Sequence, residues 1–188
     1  MRITGGTLKG RRLLVPKVPN IRPTTDRVRE SIFNVLRSRV EGRRVLDLFA
    51  GTGALGIEAL SRGASEAVFV EKDKKVSEIL RKNLTSCNLE NRSLVFTIPA
   101  EKAISLFIKR SEKFHLIFLD PPYYSSFASS TLASIPPLLS DEGVVIVEHD
   151  VKETPIIDEL TWDIVDRRLF GRTVVCFLEL NSDGGFSS

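Results

Sequence analysis

The spacing of apolar residues changes along the chain, and the elements follow from it. Residues 2–15 alternate around Gly5, Gly6 and Gly10 and predict a short β-hairpin. Residues 16–23 are punctuated by prolines and read as a linker. Thr24 or Thr25 then caps a helix running to about Arg39, with Val28, Ile32, Val35 and Leu36 forming one apolar stripe.

From Arg43 onward, short apolar runs alternate with stretches of helical period. The predicted strands are Val45–Phe49, Glu66–Glu71, Ser93–Ile98, Phe114–Asp120 and Gly143–Glu148. Between them fall helices at Ala54–Arg62, Lys74–Ser86, Ala100–Arg110 and Ser126–Ser134, with a short one near Pro155–Leu160. Trp162–Phe170 and Thr173–Leu180, joined at Gly171-Arg172, predict a closing hairpin. Alternating βα units imply an α/β fold: a Rossmann-like, doubly wound sheet of seven strands, mostly parallel, with one antiparallel strand from that hairpin. The expected organisation is a basic hairpin extension over 1–20, a single domain over 21–181 and a flexible tail over 182–188.

The chain has 188 residues, about one domain, and no apolar run approaches the roughly 20 residues of a membrane span. The first six residues lack the apolar stretch of a signal peptide. Cys87 and Cys176 form no disulfide framework and point to a reducing cytoplasm. Together with His115 and His149 they show no metal-ligand spacing, so no metal is expected. His115 reads as a core residue, whereas Glu148 and His149 end the fifth strand at the mouth of any site there.

Charge is unevenly placed. Residues 1–44 hold 12 Lys and Arg against 3 Asp and Glu, whereas the remainder holds 15 against 21. A basic amino end on a mildly acidic body suits a polyanionic partner. The candidates to meet it are Lys9, Arg11, Arg12, Arg22, Thr24, Arg27 and Arg29.

Two motifs carry chemistry. Gly51, Gly53 and Gly56 form a glycine-rich turn between a strand and a helix, a pattern that suits a nucleotide cofactor. Asp47 at the strand end would repel a pyrophosphate and would favour a cation such as the amino group and sulfonium of S-adenosylmethionine. Glu71 ends the next strand, where a carboxylate can accept two ribose hydroxyls. Asp73 reads as the cap of the following helix. Phe49, Ala50 and Thr52 in the loop, Lys72 beside Glu71, and Ala100 after the third strand complete the cofactor candidates.

The second motif is Asp120-Pro121-Pro122-Tyr123, directly after the fourth strand. The prolines remove two N–H donors, leaving carbonyl acceptors. An acid, a carbonyl and a flat ring together suit a planar group bearing an NH2, such as a nucleobase. The fourth strand of a doubly wound sheet lies beside the first, so this clamp faces the cofactor crevice. Asp120 therefore counts among both the catalytic and the cofactor candidates.

These motifs, with Gly5-Gly6, Lys9-Gly10-Arg11-Arg12-Leu13 and the run Arg22–Asn34, resemble the RsmD family within the class I S-adenosylmethionine-dependent methyltransferases. The resemblance spans nearly the whole chain. It implies methylation of a guanine N2 in small-subunit ribosomal RNA, within an assembled particle, by a monomeric cytoplasmic protein. It also implies that Asp47, Gly51 and Gly53 line the methionine part of the cofactor, that Arg22–Arg29 cover it and face RNA, and that Asp120, Pro121 and Tyr123 are catalytic. One departure stands out. The pattern has Asp or Asn before Ala after the third strand, and this chain has Pro99-Ala100. The adenine contact then comes from a backbone group, from Glu101, or is missing.

Other readings of the same residues are an adenine-N6 methyltransferase on DNA or RNA, a protein glutamine methyltransferase and a silent RNA-binding assembly factor. A dehydrogenase is disfavoured by Asp47. A glutamine methyltransferase usually has Asn in place of Asp120. A DNA enzyme needs a recognition domain for which the chain has no room.

Overall fold

A computed structural model describes residues 1–16, 25–121 and 125–181. Pro122 and Tyr123 of the clamp, Arg22 and Thr24 of the basic segment, and the 182–188 tail lie outside the described residues.

The strands are β1 (Arg44–Asp47), β2 (Glu66–Val70), β3 (Ser93–Phe96), β4 (Phe114–Leu119), β5 (Leu139–Asp150), β6 (Trp162–Phe170) and β7 (Thr173–Leu180). They form one sheet in the order β3-β2-β1-β4-β5-β7-β6. All neighbouring pairs from β3 to β5 are parallel, and β7 runs antiparallel to both β5 and β6. The apolar runs of β1 and β4 are buried on both faces, as a parallel sheet under two helical layers requires.

Helices α1 (Asp26–Leu36), α2 (Ala54–Ser61) and α3 (Lys74–Ser86) pack on one face; α4 (Ala100–Lys109) and α5 (Ser125–Ser134) contribute to the core on the other. Thr25 caps α1 by accepting from Val28 N, and Asp73 caps α3 by accepting from Lys75 N and Val76 N. The order in which strands are added to the sheet reverses between β1 and β4, so the switch point of the sheet opens above these two parallel strands.

Three elements differ from the sequence expectation. The predicted helix near Pro155–Leu160 is absent, and residues 151–161 form a non-helical connection from β5 to β6. The Asp158 carboxylate accepts from Leu160 N at 3.1 Å and Thr161 Oγ1 at 2.6 Å, closing a turn that competes with helix. Ile156 N donates to Ser129 Oγ of α5 at 2.9 Å. Ile156 and Leu160 are 80% and 84% exposed, so their helical spacing buries nothing.

Strand β5 begins at Leu139, four residues before the predicted Gly143. The pairing with β4 shifts register between Phe114 and Leu116 to admit the extra residues. The amino-terminal hairpin holds a single antiparallel bridge, Arg2 to Arg12, in place of two paired strands. Across it Ile3 N donates to Arg11 O, Gly10 N to Ile3 O and Leu13 N to Met1 O, while its other donors bond elsewhere: Thr4 N to Glu58, Thr7 N to Ser61 O, Leu8 N to Ser61 Oγ and Leu14 N to Asn83. Docking on α2 and α3 takes the donors that a longer ladder would use.

Candidate active site

The register of β2, β1 and β4 decides where the acids stand. Asp47 pairs with Phe69 of β2 and Phe118 of β4. Glu71 follows β2, and Asp120 lies two residues past Phe118. The three acids thus sit at or just beyond the carboxyl ends of three adjacent strands, around the start of α2. Glu71 and Asp120 are half-buried, and Asp47 is buried.

The chain from β1 to α2 is a tight turn closed by Gly53 N donating to Ala50 O at 2.7 Å. Gly51 and Gly53 have φ of +52° and +83°, in the left-handed region that favours glycine. A Cβ at Gly53 would stand 2.3 Å from Leu80 Cδ1, whereas one at Gly51 would meet nothing within 4 Å. The loop is therefore wedged against α3 on one side and open at Gly51. Ala50 N donates to Val70 O at 2.9 Å, tying the loop to β2. Thr52 is buried and Phe49 half-buried.

Asp47 is only 3% exposed, and its Oδ2 accepts from Gly56 N at 3.1 Å. Burial pushes its carboxyl up to about 7; the Gly56 bond opposes that shift, and the charge of Glu71 adds to it. The acid lies beneath the loop and acts on it as a buried, titratable charge.

Glu71 spans the loop and the next helix. Its Oε2 accepts from Gly51 N at 3.0 Å and its Oε1 from Asp73 N at 2.8 Å. Each carboxylate oxygen carries two acceptor sites, so this pairing is compatible with a diol bound by the same group. Lys72 beside it is exposed.

Pro99 occupies the cap position of α4 without any capping side chain, and Ala100 behind it is buried. That helix end presents backbone N–H groups where Asp or Asn would present a side chain.

Together these residues fit S-adenosylmethionine. The loop backbone is open at Gly51, a buried acid lies below it, and a diol acceptor stands alongside. Among the described residues, no group of three or more His, Cys, Asp or Glu side chains is placed to hold a metal ion. No helix there is long and apolar enough to cross a membrane.

The basic candidates divide. Lys9, Arg11, Arg12 and Arg27 are exposed, with Arg11 Nη1 also donating to Ser86 O at 2.6 Å. Arg29 does not belong with them. It is 0% exposed, and its Nη2 donates to Arg2 O at 2.5 Å and Asp26 Oδ1 at 2.8 Å. Its position explains this, because Arg29, Ile32, Phe33 and Leu36 share the buried face of α1.

Two more polar residues on buried helix faces escape the sequence reading. Glu58 of α2 is 0% exposed and accepts from Thr4 N, Thr4 Oγ1 and Arg62 Nε, each at 2.8 Å. Asn83 of α3 is also 0% exposed and bonds Leu14. Arg29, Glu58 and Asn83 thus hold the amino-terminal arm from three successive helices. The signal was there: each interrupts an apolar stripe at helical spacing.

Comparison with known proteins agrees with this geometry. Residues 1–179 match the family model described as Conserved hypothetical protein 95. The chain is 34% identical over 186 residues to "Ribosomal RNA small subunit methyltransferase D" of Escherichia coli K12, covering 98% of this chain and 92% of that one. It is 42% identical over 152 residues to "Putative rRNA methyltransferase YlbH" of Bacillus subtilis, covering 80% and 83%. A solved structure of a hypothetical protein from Thermus thermophilus superposes with a TM-score of 0.82 at 32% identity, covering 96% of this chain and 99% of that one.

Proposed function

Because the chain belongs to the RsmD family, we propose that it transfers a methyl group from S-adenosylmethionine to the exocyclic N2 amine of a guanine in small-subunit ribosomal RNA. The observation that carries this reading is the row of Asp47, Glu71 and Asp120 at the carboxyl ends of β1, β2 and β4, around a loop open at Gly51.

In this reading Phe49, Ala50, Gly51, Thr52 and Gly53 border the methionine part of the cofactor, with Asp47 as the charge beneath it. Glu71 takes the ribose hydroxyls, with Lys72 at its side. The adenine lies by Ala100, where backbone N–H groups at the start of α4 replace the missing Asp or Asn side chain. When bound, the cofactor supplies an electrophilic methyl group.

A guanine N2 is a poor nucleophile because its lone pair is delocalised into the ring. Asp120 and the Pro121 carbonyl each accept one N–H, which orients the amine and raises its electron density. Positioning of this kind is worth about 7–11 kcal/mol in the best oriented intramolecular reactions, and a clamp on one amine supplies part of that. Positive charge developing on nitrogen is offset by the Asp120 carboxylate, already in place and needing no reorganisation. In this reading Pro122 has no N–H to compete with the amine, and Tyr123 stacks on the base, worth roughly 1–3 kcal/mol.

Lys9, Arg11, Arg12 and Arg27, with Arg22 and Thr24 of the connecting segment, meet the RNA backbone. Phosphate contacts position a substrate without reading sequence, and the arm is too small to read a duplex. That favours a preformed RNA surface, such as an assembled small subunit in the cytoplasm, approached by a monomer.

Incubation with labelled S-adenosylmethionine and small subunits lacking the modification tests this. The digest is expected to contain N2-methylguanosine. N6-methyladenosine would move the substrate to adenine, and transfer to naked RNA alone would overturn the particle as substrate.

A further inference from the structure

Asn83 is a fully buried amide near the end of α3 with three hydrogen bonds. Its Oδ1 accepts from Leu14 N at 2.7 Å. Its Nδ2 donates to Leu14 O at 3.1 Å and to Thr52 O at 3.0 Å. The partners fix the orientation of the amide, since a flipped side chain would set a donor against the Leu14 N–H and an acceptor against two carbonyls.

The two partners belong to different parts of the site. Leu14 lies just past Arg11 and Arg12 of the basic arm. The Thr52 carbonyl belongs to the peptide joining Thr52 to Gly53, between two residues of positive φ, Gly51 and Gly53. Two bonds to Leu14 copy a strand pairing, and the third pins that peptide plane of the glycine loop. The bond to Thr52 O is buried, so losing that donor is costly, and the same amide makes the two part-buried bonds to Leu14.

We infer that Asn83 is a positioning residue that couples the RNA-binding arm at Leu14 to the cofactor loop at Thr52, so that loosening the arm there is felt at the loop, and the reverse. This rests on the roles given above to arm and loop; Asn83 itself contacts neither RNA nor cofactor in that reading. Glu58 supplies the contrast, because it accepts from Thr4 of the arm and from Arg62 and, among the described residues, makes no bond to the loop.

The test compares the full chain with Asn83→Leu and Glu58→Gln. Backbone hydrogen exchange is followed without ligand, and S-adenosylhomocysteine binding is measured by calorimetry, where stoichiometry reports the folded fraction. Asn83→Leu is expected to speed exchange in both 11–16 and 51–56 and to weaken S-adenosylhomocysteine about tenfold, the scale of one or two lost hydrogen bonds. Glu58→Gln is expected to speed exchange only in 3–8 and leave that affinity within about twofold. If Asn83→Leu does not fold, Asn83→Asp keeps the acceptor for Leu14 N but loses the donor to both Leu14 O and Thr52 O, so both 51–56 and 11–16 should loosen, 11–16 by less than in Asn83→Leu. Coupling is overturned if residues 51–56 exchange at the wild-type rate while 11–16 are freed, or if affinity falls only with the folded fraction. Wild-type protein that binds no S-adenosylhomocysteine would sink the cofactor reading, and exchange alone would then decide the role of Asn83.

Discussion

Glu71 and Gly51 are joined across the mouth of the loop: the carboxylate Oε2 accepts the Gly51 amide at 3.0 Å, while Oε1 accepts the Asp73 amide at 2.8 Å. One side chain therefore shapes the loop and, in the proposed reading, also takes the ribose hydroxyls. Glu71→Ala loses both, and hydrogen bonds to a charged group are worth about 1.5–3 kcal/mol. S-adenosylhomocysteine should bind roughly 10- to 100-fold more weakly by calorimetry. Glu71→Gln keeps one acceptor oxygen and should fall between.

Asp47 sets a pH dependence. Burial raises its carboxyl from 3.8 to about 7, so between those values the folded chain holds a proton that the unfolded chain has released. The resulting stabilisation is complete below 3.8 and is lost as pH climbs through about 7. Asp47→Asn keeps an acceptor for Gly56 N and cannot ionise. Urea titrations should show the variant more stable than wild type at pH 8, by on the order of 2–4 kcal/mol, since each tenfold change in proton affinity is worth about 1.4 kcal/mol. The gap should close at acid pH. A gap that stays constant with pH would show that Asp47 does not titrate in this window.

The basic residues separate into a buried anchor and exposed candidates for RNA contact. Arg29→Met removes a buried guanidinium bonded to Arg2 O and should cost about 2–4 kcal/mol of stability. It should leave the salt dependence of RNA binding by the folded protein unchanged. Arg12→Ala should do the reverse, leaving stability nearly unaltered and lowering the slope of log affinity against log salt by about 0.7–0.9. Thermal melts and filter binding across a salt series would distinguish the two.

The sheet was readable because apolar runs of four to six residues alternate with helical spacing, and because Asp47, Glu71 and Asp120 end their strands. Two kinds of feature were not. The connection over 151–161 misled because Ile156 and Leu160 are spaced like one helix face, while the outcome rests on Asp158 bonding its own turn and Ser129 capturing Ile156 N. That competition involves a residue 27 positions away. Arg29 misled because charge was weighed by its position in a basic run. Its phase with Ile32, Phe33 and Leu36 carried the better signal. The same phase argument finds Glu58 between Leu55 and Ala59, and Asn83 between Leu80 and Leu84. A polar residue in an apolar stripe marks a buried contact, although the stripe cannot say with what.

The proposed mechanism has Asp120 act on the substrate amine while the loop and Glu71 hold the cofactor. Its most direct test is single-turnover methyl transfer by Asp120→Ala beside S-adenosylhomocysteine binding by the same protein. The rate should fall by about 10²–10⁴, the scale of removing a preorganised electrostatic partner. Affinity for S-adenosylhomocysteine should stay within about threefold of wild type. Transfer at near the wild-type rate, or a loss explained entirely by weaker cofactor binding, would contradict the account.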